Sequence, residues 1–369
     1  MGFRVNIPAY LPGKVSTSEH ISGIIPPFKK NSIACDLKKE EWFGMYIKEN
    51  PGAAYLNERF NEISQRDLKA FDVPEYFVHW LFADRLKARG ARQEMSFHYF
   101  EGPGHLAKFF SWHVNSKFDF FTENALLSQW ARHSFERDMA VFERYDISVQ
   151  QGLVEKLSRY NAQDQMLIHA YPVPERQQVK IMLDFGAGHG RLANLAFSET
   201  SDIPKVETYI AVDAIPSTYF TQAYYFEGLG LKVWDYFDHC DDANLSPEKF
   251  TDLFGKYDVI HLPTWKINLL PEKSVDLISC VQVLKELPGE LVANIIPVFG
   301  RLVTDCGAVY IRDHLQHHNP NHMPIDLLLG ANGFVLEFAP LLKDRREIHG
   351  LPRIWRKVDP DLYLDTEPR

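Results

Sequence analysis

Three glycines at alternate positions mark a sharp turn in the middle of the chain. Residues 183–191 have the sequence LDFGAGHGR, preceded by a β-branched and apolar run over 179–183 and followed by an apolar helical run from Leu192. Glycine allows left-handed backbone and close approach of a ligand, and the start of a helix offers free N–H groups. The segment therefore predicts a strand, a glycine turn and a helix start, the corner of a nucleotide-binding α/β sheet.

The spacing of these glycines distinguishes between ligand classes. A dinucleotide-binding G-x-G-x-x-G turn would need glycine at position 191, where this chain has Arg191. A nucleotide-sugar oxidoreductase is disfavoured for that reason. The pattern is instead D-x-G-x-G-x-G and resembles class I S-adenosylmethionine-dependent methyltransferases. The resemblance implies S-adenosyl-L-methionine as the cofactor, with Asp184 positioning its methionine amino group and the turn (Gly186, Ala187, Gly188, Gly190) lying against it.

A second acidic residue ends the next apolar run, 208–212. Asp213 lies 23 residues after Gly190 and is followed by Ala214. In nucleotide-binding α/β folds a carboxylate at about this distance accepts hydrogen bonds from ribose hydroxyls. Asp213 and Ala214 are therefore candidate cofactor-binding residues.

From about residue 178 onward the pattern alternates between strand and helix, which predicts a parallel sheet with crossovers. The expected fold class is α/β, a doubly wound Rossmann-like methyltransferase sheet, mostly parallel with an antiparallel C-terminal strand, beside an N-terminal mainly helical domain. Either 231–237 or 258–262 could be the third strand, and the second is favoured because 246–256 has a helical pattern. The other expected strands are 179–185, 209–213, 275–281, 308–312 and the pair 334–338 and 352–357.

The first half of the chain has helical patterns without convincing strands. We expect an N-terminal arm over 1–35, a mainly helical substrate or lid domain over 36–174, and a catalytic domain over 175–369. The clearest helix is 122–145, with Thr122 as its N-cap and an apolar stripe through Leu127, Ala131, Phe135, Met139 and Phe142. A second helix is expected over 149–159. A helical lid would exclude water and set acceptor specificity.

Composition narrows the function classes. The net charge of −9 disfavours nucleic acid as a partner, because phosphate recognition needs a basic face. No run of 18 apolar residues and no apolar leader occur, so we expect no membrane association and a cytoplasmic protein, with a homo-oligomer allowed. The four cysteines lack C-x-x-C spacing, and Cys280 and Cys306, in apolar strand contexts, are expected to be reduced core thiols.

Beyond the glycine turn, residues 175–357 resemble the sugar O-methyltransferase family of bacterial polysaccharide and glycoside pathways. The resemblance lies in DAIP at 213–216 with its tyrosine-rich helix, in 261–277 (HLPTW through LLPEKSVDL) and in IHGLPRIWR at 348–356. It implies methyl transfer to a hydroxyl of a sugar or glycosylated small molecule. The chain departs from the family at 281–287 (VQVLKEL), where a more polar, serine-containing stretch is expected, and this leaves the acceptor open.

Methyl transfer to an unactivated hydroxyl needs a base that removes its proton. Ligands of open α/β sheets lie beyond the carboxyl ends of the strands, so candidate bases are sought there. His314, with Asp313 beside it, is the first candidate and Glu286 the second. Trp265 is a candidate for stacking on adenine and Gln282 for contacting the cofactor, while His261 would line the adenine side.

Three other interpretations remain beside this one. The histidines around His314 suggest a metal, but magnesium prefers carboxylates and zinc sites show tighter paired spacing, so no metal is expected. A natural-product N- or C-methyltransferase would need less base catalysis. A catalytically silent cofactor-binding scaffold subunit would bind the cofactor without methylating an acceptor.

Overall fold

A computed structural model describes residues 51–70, 99–112, 124–170, 178–200, 202–242, 245–284, 287, 289–313, 324–339 and 350–358. Its centre is an eight-stranded sheet with the order β3-β4-β2-β1-β5-β6-β8-β7. The strands are β1 (Ile181–Phe185), β2 (Thr208–Asp213), β3 (Val233–Asp235), β4 (Val259–Pro263), β5 (Val275–Val281), β6 (Val303–Asp313), β7 (Phe334–Phe338) and β8 (Leu351–Lys357).

Six strands, β1 to β6, are parallel, and β8 and β7 add an antiparallel edge beside β6. The chain runs outward from β1 to β2 and on to the edge strand β3, inserts β4 between β3 and β2, and then returns to place β5 on the other side of β1. This reversal is the topological switch point at which doubly wound sheets bind ligands. The predicted Rossmann-like sheet with its antiparallel C-terminal strand is confirmed.

Burial on both faces explains the sequence of the central strands. Every residue of β1, β2 and β4 is buried. Parallel strands covered by helices on both faces carry near-continuous apolar runs, as 208–212 does. Both candidates for the third strand are strands, and the favoured one, β4, pairs directly with β2 while β3 forms the edge.

Helices cover both faces of the sheet. In the first half of the chain they are α1 (Pro51–Ala70), α2 (His105–Trp112), α3 (Ala125–Arg144) and α4 (Gln151–Gln165), the last continued by a π-helical turn (Met166–Ala170). In the second half they are α5 (Leu192–Ala196), α6 (Pro216–Gly228), α7 (Tyr236–His239), α8 (Pro247–Thr251), a 3₁₀ helix (Thr264–Leu269), α9 (Gly289–Leu302) and α10 (Ile325–Ala331).

The N-terminal helices belong to the same core as the sheet. Phe60 and Ile63 of α1 pack in one core layer with the β1, β2 and β4 side chains that face it, and Phe110 of α2 and Phe142 of α3 pack in the layer on the opposite face. The proposed boundaries, after residues 35 and 174, fall outside the described residues, as does the arm 1–35. The helical domain over 36–174 therefore stays a prediction, consistent with the helices described within it.

Helix α3 corrects two predictions. Its N-cap is Asn124, whose side chain accepts a hydrogen bond from the Leu127 backbone N–H, and not Thr122. Its buried face also includes Trp130, Ser134 and Asp138. Of the predicted stripe, Leu127 and Phe142 are buried as expected, whereas Ala131, Phe135 and Met139 are only partly buried. The apolar pattern in the sequence did not reveal this face, because Ser134 and Asp138 are polar. In the structure both make hydrogen bonds with other buried side chains.

Three further predictions differ in detail. Helix α4 with its π-helical turn reaches residue 170, well beyond the expected end at 159, and the helix expected over 246–256 is only the short α8. Cys280 is buried as expected, but Cys306 is exposed, because residues 305 and 306 lie near the start of β6, where the pairing with β5 is irregular. Among the described residues, no helix combines the length and apolar character that crossing a bilayer requires.

Candidate functional site

The glycine turn lies at the carboxyl end of β1 and has left-handed backbone at Gly186, Gly188 and Gly190, with φ of 69°, 61° and 81°. A Cβ on Gly186 would lie 2.4 Å from Val283 Cγ2, and one on Gly190 2.5 Å from Phe226 Cε1. Packing therefore requires glycine at both positions. A Cβ on Gly188 would meet nothing within 4 Å, so this residue faces open space.

Asp213 joins the glycine turn to the end of β2. Its Oδ1 accepts hydrogen bonds from the backbone N–H groups of Ala214 (2.7 Å) and Ile215 (3.3 Å). Its Oδ2 accepts from the Gly188 N–H (3.3 Å) and the Gln222 amide (3.2 Å). Burial raises the pKa of Asp213, although the hydrogen bonds from backbone N–H groups oppose the shift. The turn and the acidic strand end predicted from sequence thus form one hydrogen-bonded unit.

A narrow cavity of about 30 Å³ opens beside this unit. It is bounded by Phe185, Gly186, Asp213, Ala214, Thr264, Val283, Leu287 and Leu291. A cavity of this size holds water but not a purine, so a nucleoside needs its wall to move. The side chain that fills the space over Gly186 belongs to Val283.

The segment that forms the Val283 side of the cavity begins with a residue whose backbone is strained. Gln282 follows β5 and has a φ of 61°, a left-handed conformation that costs a residue other than glycine roughly 1–2 kcal/mol. Its backbone N–H (2.9 Å) and its side-chain amide (3.0 Å) both donate to the Arg312 carbonyl at the end of β6. Such strain is typical of ligand sites. Contact between Gln282 and a cofactor stays a prediction.

Asp184 lies beneath the turn and is 3% exposed. Its Oδ2 accepts a 2.5 Å hydrogen bond from the Tyr209 hydroxyl. Burial raises the pKa of Asp184 to about 6. The carboxyl group therefore ties β1 to β2, and its predicted contact with a methionine amino group stays a prediction.

A charged cluster that sequence reasoning missed supports the glycine turn from below. Asp164 of α4 is fully buried and binds Arg191, Arg312 and the Tyr310 hydroxyl. Burial alone would raise the pKa of Asp164, but the two guanidinium groups lower it below its ordinary value. Arg191, which separates this chain from the dinucleotide pattern, thus anchors the turn to α4.

Trp265 is held by the N-terminal half of the chain. Its indole N–H donates to Asp67 of α1 (3.1 Å), and its ring packs edge-on against Phe60 at 5.4 Å. Asp67 also accepts from the Tyr236 hydroxyl (2.9 Å) and pairs with Lys266 (3.4 Å). The neighbouring residue that lines the cavity is Thr264. Stacking of Trp265 on adenine stays a prediction.

Of the three candidate catalytic residues, only Asp313 lies within the described residues. Asp313 ends β6 and is 1% exposed, whereas His314 and Glu286 lie outside the described residues. Within the described ranges no group of three or more His, Cys, Asp or Glu side chains could hold a metal ion. His189 in the glycine turn packs against Phe109 and Phe110, two aromatics of the expected lid.

This chain shows only remote similarity to known proteins. No protein-family model and no curated protein matches the chain. Among solved structures, a SAM-dependent methyltransferase from Aquifex aeolicus is 14% identical with a TM-score of 0.33, covering 50% of this chain and 84% of its own. Magnesium protoporphyrin IX methyltransferase from Synechocystis is 15% identical with a TM-score of 0.34, covering 64% and 100%. Human N-acetylserotonin methyltransferase is 13% identical with a TM-score of 0.34, covering 85% and 69%.

Because these TM-scores are low, the fold is assigned from the strand order of the chain itself. The mostly parallel sheet, the reversal beside β1 and the antiparallel β8 and β7 make the fold Rossmann-like. The glycine turn, Asp213 and the cavity all lie at the carboxyl ends of its central strands.

Proposed function

We propose that this protein is an S-adenosylmethionine-dependent methyltransferase. The observation that carries the proposal is the unit formed by the glycine turn and Asp213 beside a cavity at the switch point. A carboxylate that ends the strand next to the turn suits ribose hydroxyls. Arg191, bound to Asp164, stands where a dinucleotide fingerprint would have its third glycine.

The described residues fit the parts of this donor. Asp213 would bind the ribose, and Ala214, Thr264 and Leu291 would contact the adenine once Val283 has moved from its place over Gly186. The open side of Gly188 would face the ligand. When bound, the donor supplies a methyl group made electrophilic by its sulfonium.

The acceptor that the sequence resemblance favours is a hydroxyl of a sugar or glycosylated small molecule. Its proton would be removed by His314, with Asp313 beside it, or by Glu286. A natural-product amine or carbon acceptor is the alternative within the same reaction class. A hydroxyl and an amine differ in their need for a base, since the lone pair of a neutral amine attacks without removal of an N–H proton as the bond forms.

A methyl-transfer assay with donor labelled in the methyl group would test this proposal. Purified protein is offered glycosides, free sugars and amine-containing natural products, and the label is followed into each product over a range of pH. We expect label in a glycoside and rates that rise with pH as the base loses its proton. His314→Ala or Glu286→Ala should then lower kcat, with donor affinity unchanged.

Three outcomes would contradict parts of the proposal. Transfer to amines that survives loss of both His314 and Glu286 would favour the N-methyltransferase. Donor binding without transfer to any acceptor would favour the scaffold subunit. If the protein does not bind the donor, the whole proposal is refuted.

A further inference from the structure

A buried chain of hydrogen bonds leads away from Asp213 to a histidine that the proposed reaction does not use. The Gln222 amide nitrogen on α6 donates to Asp213 Oδ2 (3.2 Å) and to the Gly188 carbonyl (2.8 Å). Gln222 Oε1 lies 3.1 Å from His261 Nε2, and His261 Nδ1 lies 2.7 Å from Asp235 Oδ2. Gln222 and His261 are both 0% exposed. We call this set the polar chain.

The acceptors around Gln222 fix the orientation of its amide group. A carboxylate oxygen and a backbone carbonyl can only accept, so the nitrogen of the amide must face Asp213 and Gly188. The amide oxygen must therefore face His261. Because that oxygen also can only accept, His261 Nε2 carries a hydrogen.

The other side of the ring is held by a carboxyl group. Nδ1 lies 2.7 Å from Asp235 Oδ2, and the other oxygen of Asp235 accepts from the Tyr219 hydroxyl (2.9 Å) and the Phe237 N–H (2.8 Å). The Asp235 carboxyl group therefore fixes the ring against β3 and the start of α7.

The imidazole is enclosed on its remaining sides. Asp235 of β3 binds it directly, and Asp238 of α7 lies within electrostatic range. The Tyr219 ring of α6 stacks on the imidazole with centroids 3.7 Å apart and planes at 16°. The Phe226 ring packs nearly perpendicular to it at 5.7 Å. The ring therefore has one fixed position beside Gln222.

We propose that His261 is a positioning residue of the ligand site, acting through Gln222. Its Nε2–H holds the amide in the one orientation that donates to both Asp213 and Gly188. A ring with its only hydrogen on Nδ1 would instead favour the reversed amide. The amide oxygen would then face the Asp213 carboxylate and the Gly188 carbonyl, so the glycine turn and the acidic residue would lose their common donor.

This inference rests on the proposed function only for the identity of the ligand. The test uses S-adenosylhomocysteine as the binding probe and four variants of the full-length protein: His261→Gln, Gln222→Met, the double variant and Thr221→Val. Thr221 is a matched control, since it is buried on α6 and its hydroxyl bonds only to the Ser217 carbonyl among the contacts described.

We expect each single variant in the polar chain to weaken the probe about 10- to 100-fold, as loss of a hydrogen bond to a charged group does. The double variant should be no weaker than Gln222→Met, because His261 acts through Gln222. Thr221→Val should bind like the unaltered protein. Additive losses in the double variant would overturn the inference, because they would mean that the two residues act independently.

Nuclear magnetic resonance of the histidine side chains provides a second test that needs no ligand. Long-range ¹H–¹⁵N correlations, assigned with His261→Gln or through bonds to the backbone, report the protonation of each ring nitrogen. We expect His261 to carry hydrogen on Nε2, and a ring with hydrogen on Nδ1 alone would overturn the inference even if the variants failed to fold. If the unaltered protein does not bind the probe although His261 carries hydrogen on Nε2, the proposed function fails and the hydrogen-bond assignment stands.

Discussion

Replacing single glycines of the turn separates its structural role from its binding role. Gly188 and Gly190 both have left-handed backbone, which costs an alanine about 1–2 kcal/mol. At Gly188 no further cost is expected, because a Cβ meets nothing within 4 Å. At Gly190 the Cβ would lie 2.5 Å from Phe226 Cε1, and overpacking adds about 1–3 kcal/mol.

The expected losses in the free energy of unfolding are therefore about 1–2 kcal/mol for Gly188→Ala and about 2–5 kcal/mol for Gly190→Ala. Urea unfolding followed by circular dichroism measures both. The milder variant should nonetheless lose affinity for S-adenosylhomocysteine, since its methyl group enters the space that we assign to the ligand. Trimming the ring in Gly190→Ala/Phe226→Leu should restore part of the stability.

Two results would contradict the role given to Gly188. If Gly188→Ala folds and binds S-adenosylhomocysteine normally, its open side does not face the ligand. If it is as unstable as Gly190→Ala, the space beside it is not open. Either result would mean that the glycine turn does not form part of the proposed donor site.

Three other predictions concern the surroundings of the turn. Asp184 has a pKa raised to about 6 in the folded protein, so its contribution to stability is full below pH about 4 and is lost as the pH rises through 6. Asp184→Asn should therefore gain up to about 3 kcal/mol over the unaltered protein between pH 4 and 7.5 in urea unfolding, and a difference independent of pH would contradict this. Val283→Ala should tighten S-adenosylhomocysteine several-fold in titration calorimetry by freeing the space over Gly186, whereas weaker binding would mean that Val283 contacts the ligand. Asp164→Asn should cost about 3–5 kcal/mol in thermal or urea unfolding, because it leaves two buried guanidinium groups without their carboxylate, and a loss under 1 kcal/mol would show that they find other partners.

The sheet could be predicted because its buried strands are near-continuous apolar runs in the sequence. Strand β5 has the same ends as predicted, and β1 and β2 differ by two residues or fewer at their starts. The glycine turn and Asp213 could be predicted as neighbours, because the carboxyl ends of adjacent parallel strands meet at one edge of the sheet.

The polar contacts could not be predicted, because the residues that make them are far apart in the sequence. Gln222, His261 and Asp235 lie on three elements, and only the packing of α6 over β4 and β3 brings them together. A signal was present in His261, an ionisable residue inside an otherwise apolar strand, but nothing in the sequence named its partners. Trp265 is a similar case, since its partner Asp67 lies on α1, 198 residues earlier in the chain.

Titration calorimetry with S-adenosylmethionine and, separately, with NAD tests whether the glycine turn and Asp213 bind the methyl donor. We expect saturable heat with S-adenosylmethionine and none with NAD. Asp213→Ala should abolish the signal while thermal unfolding confirms that it folds, and the variant Asp252→Ala, which changes an exposed acidic residue, should bind normally. Binding of NAD, or S-adenosylmethionine heat that Asp213→Ala leaves intact, would show that this site is not a donor site.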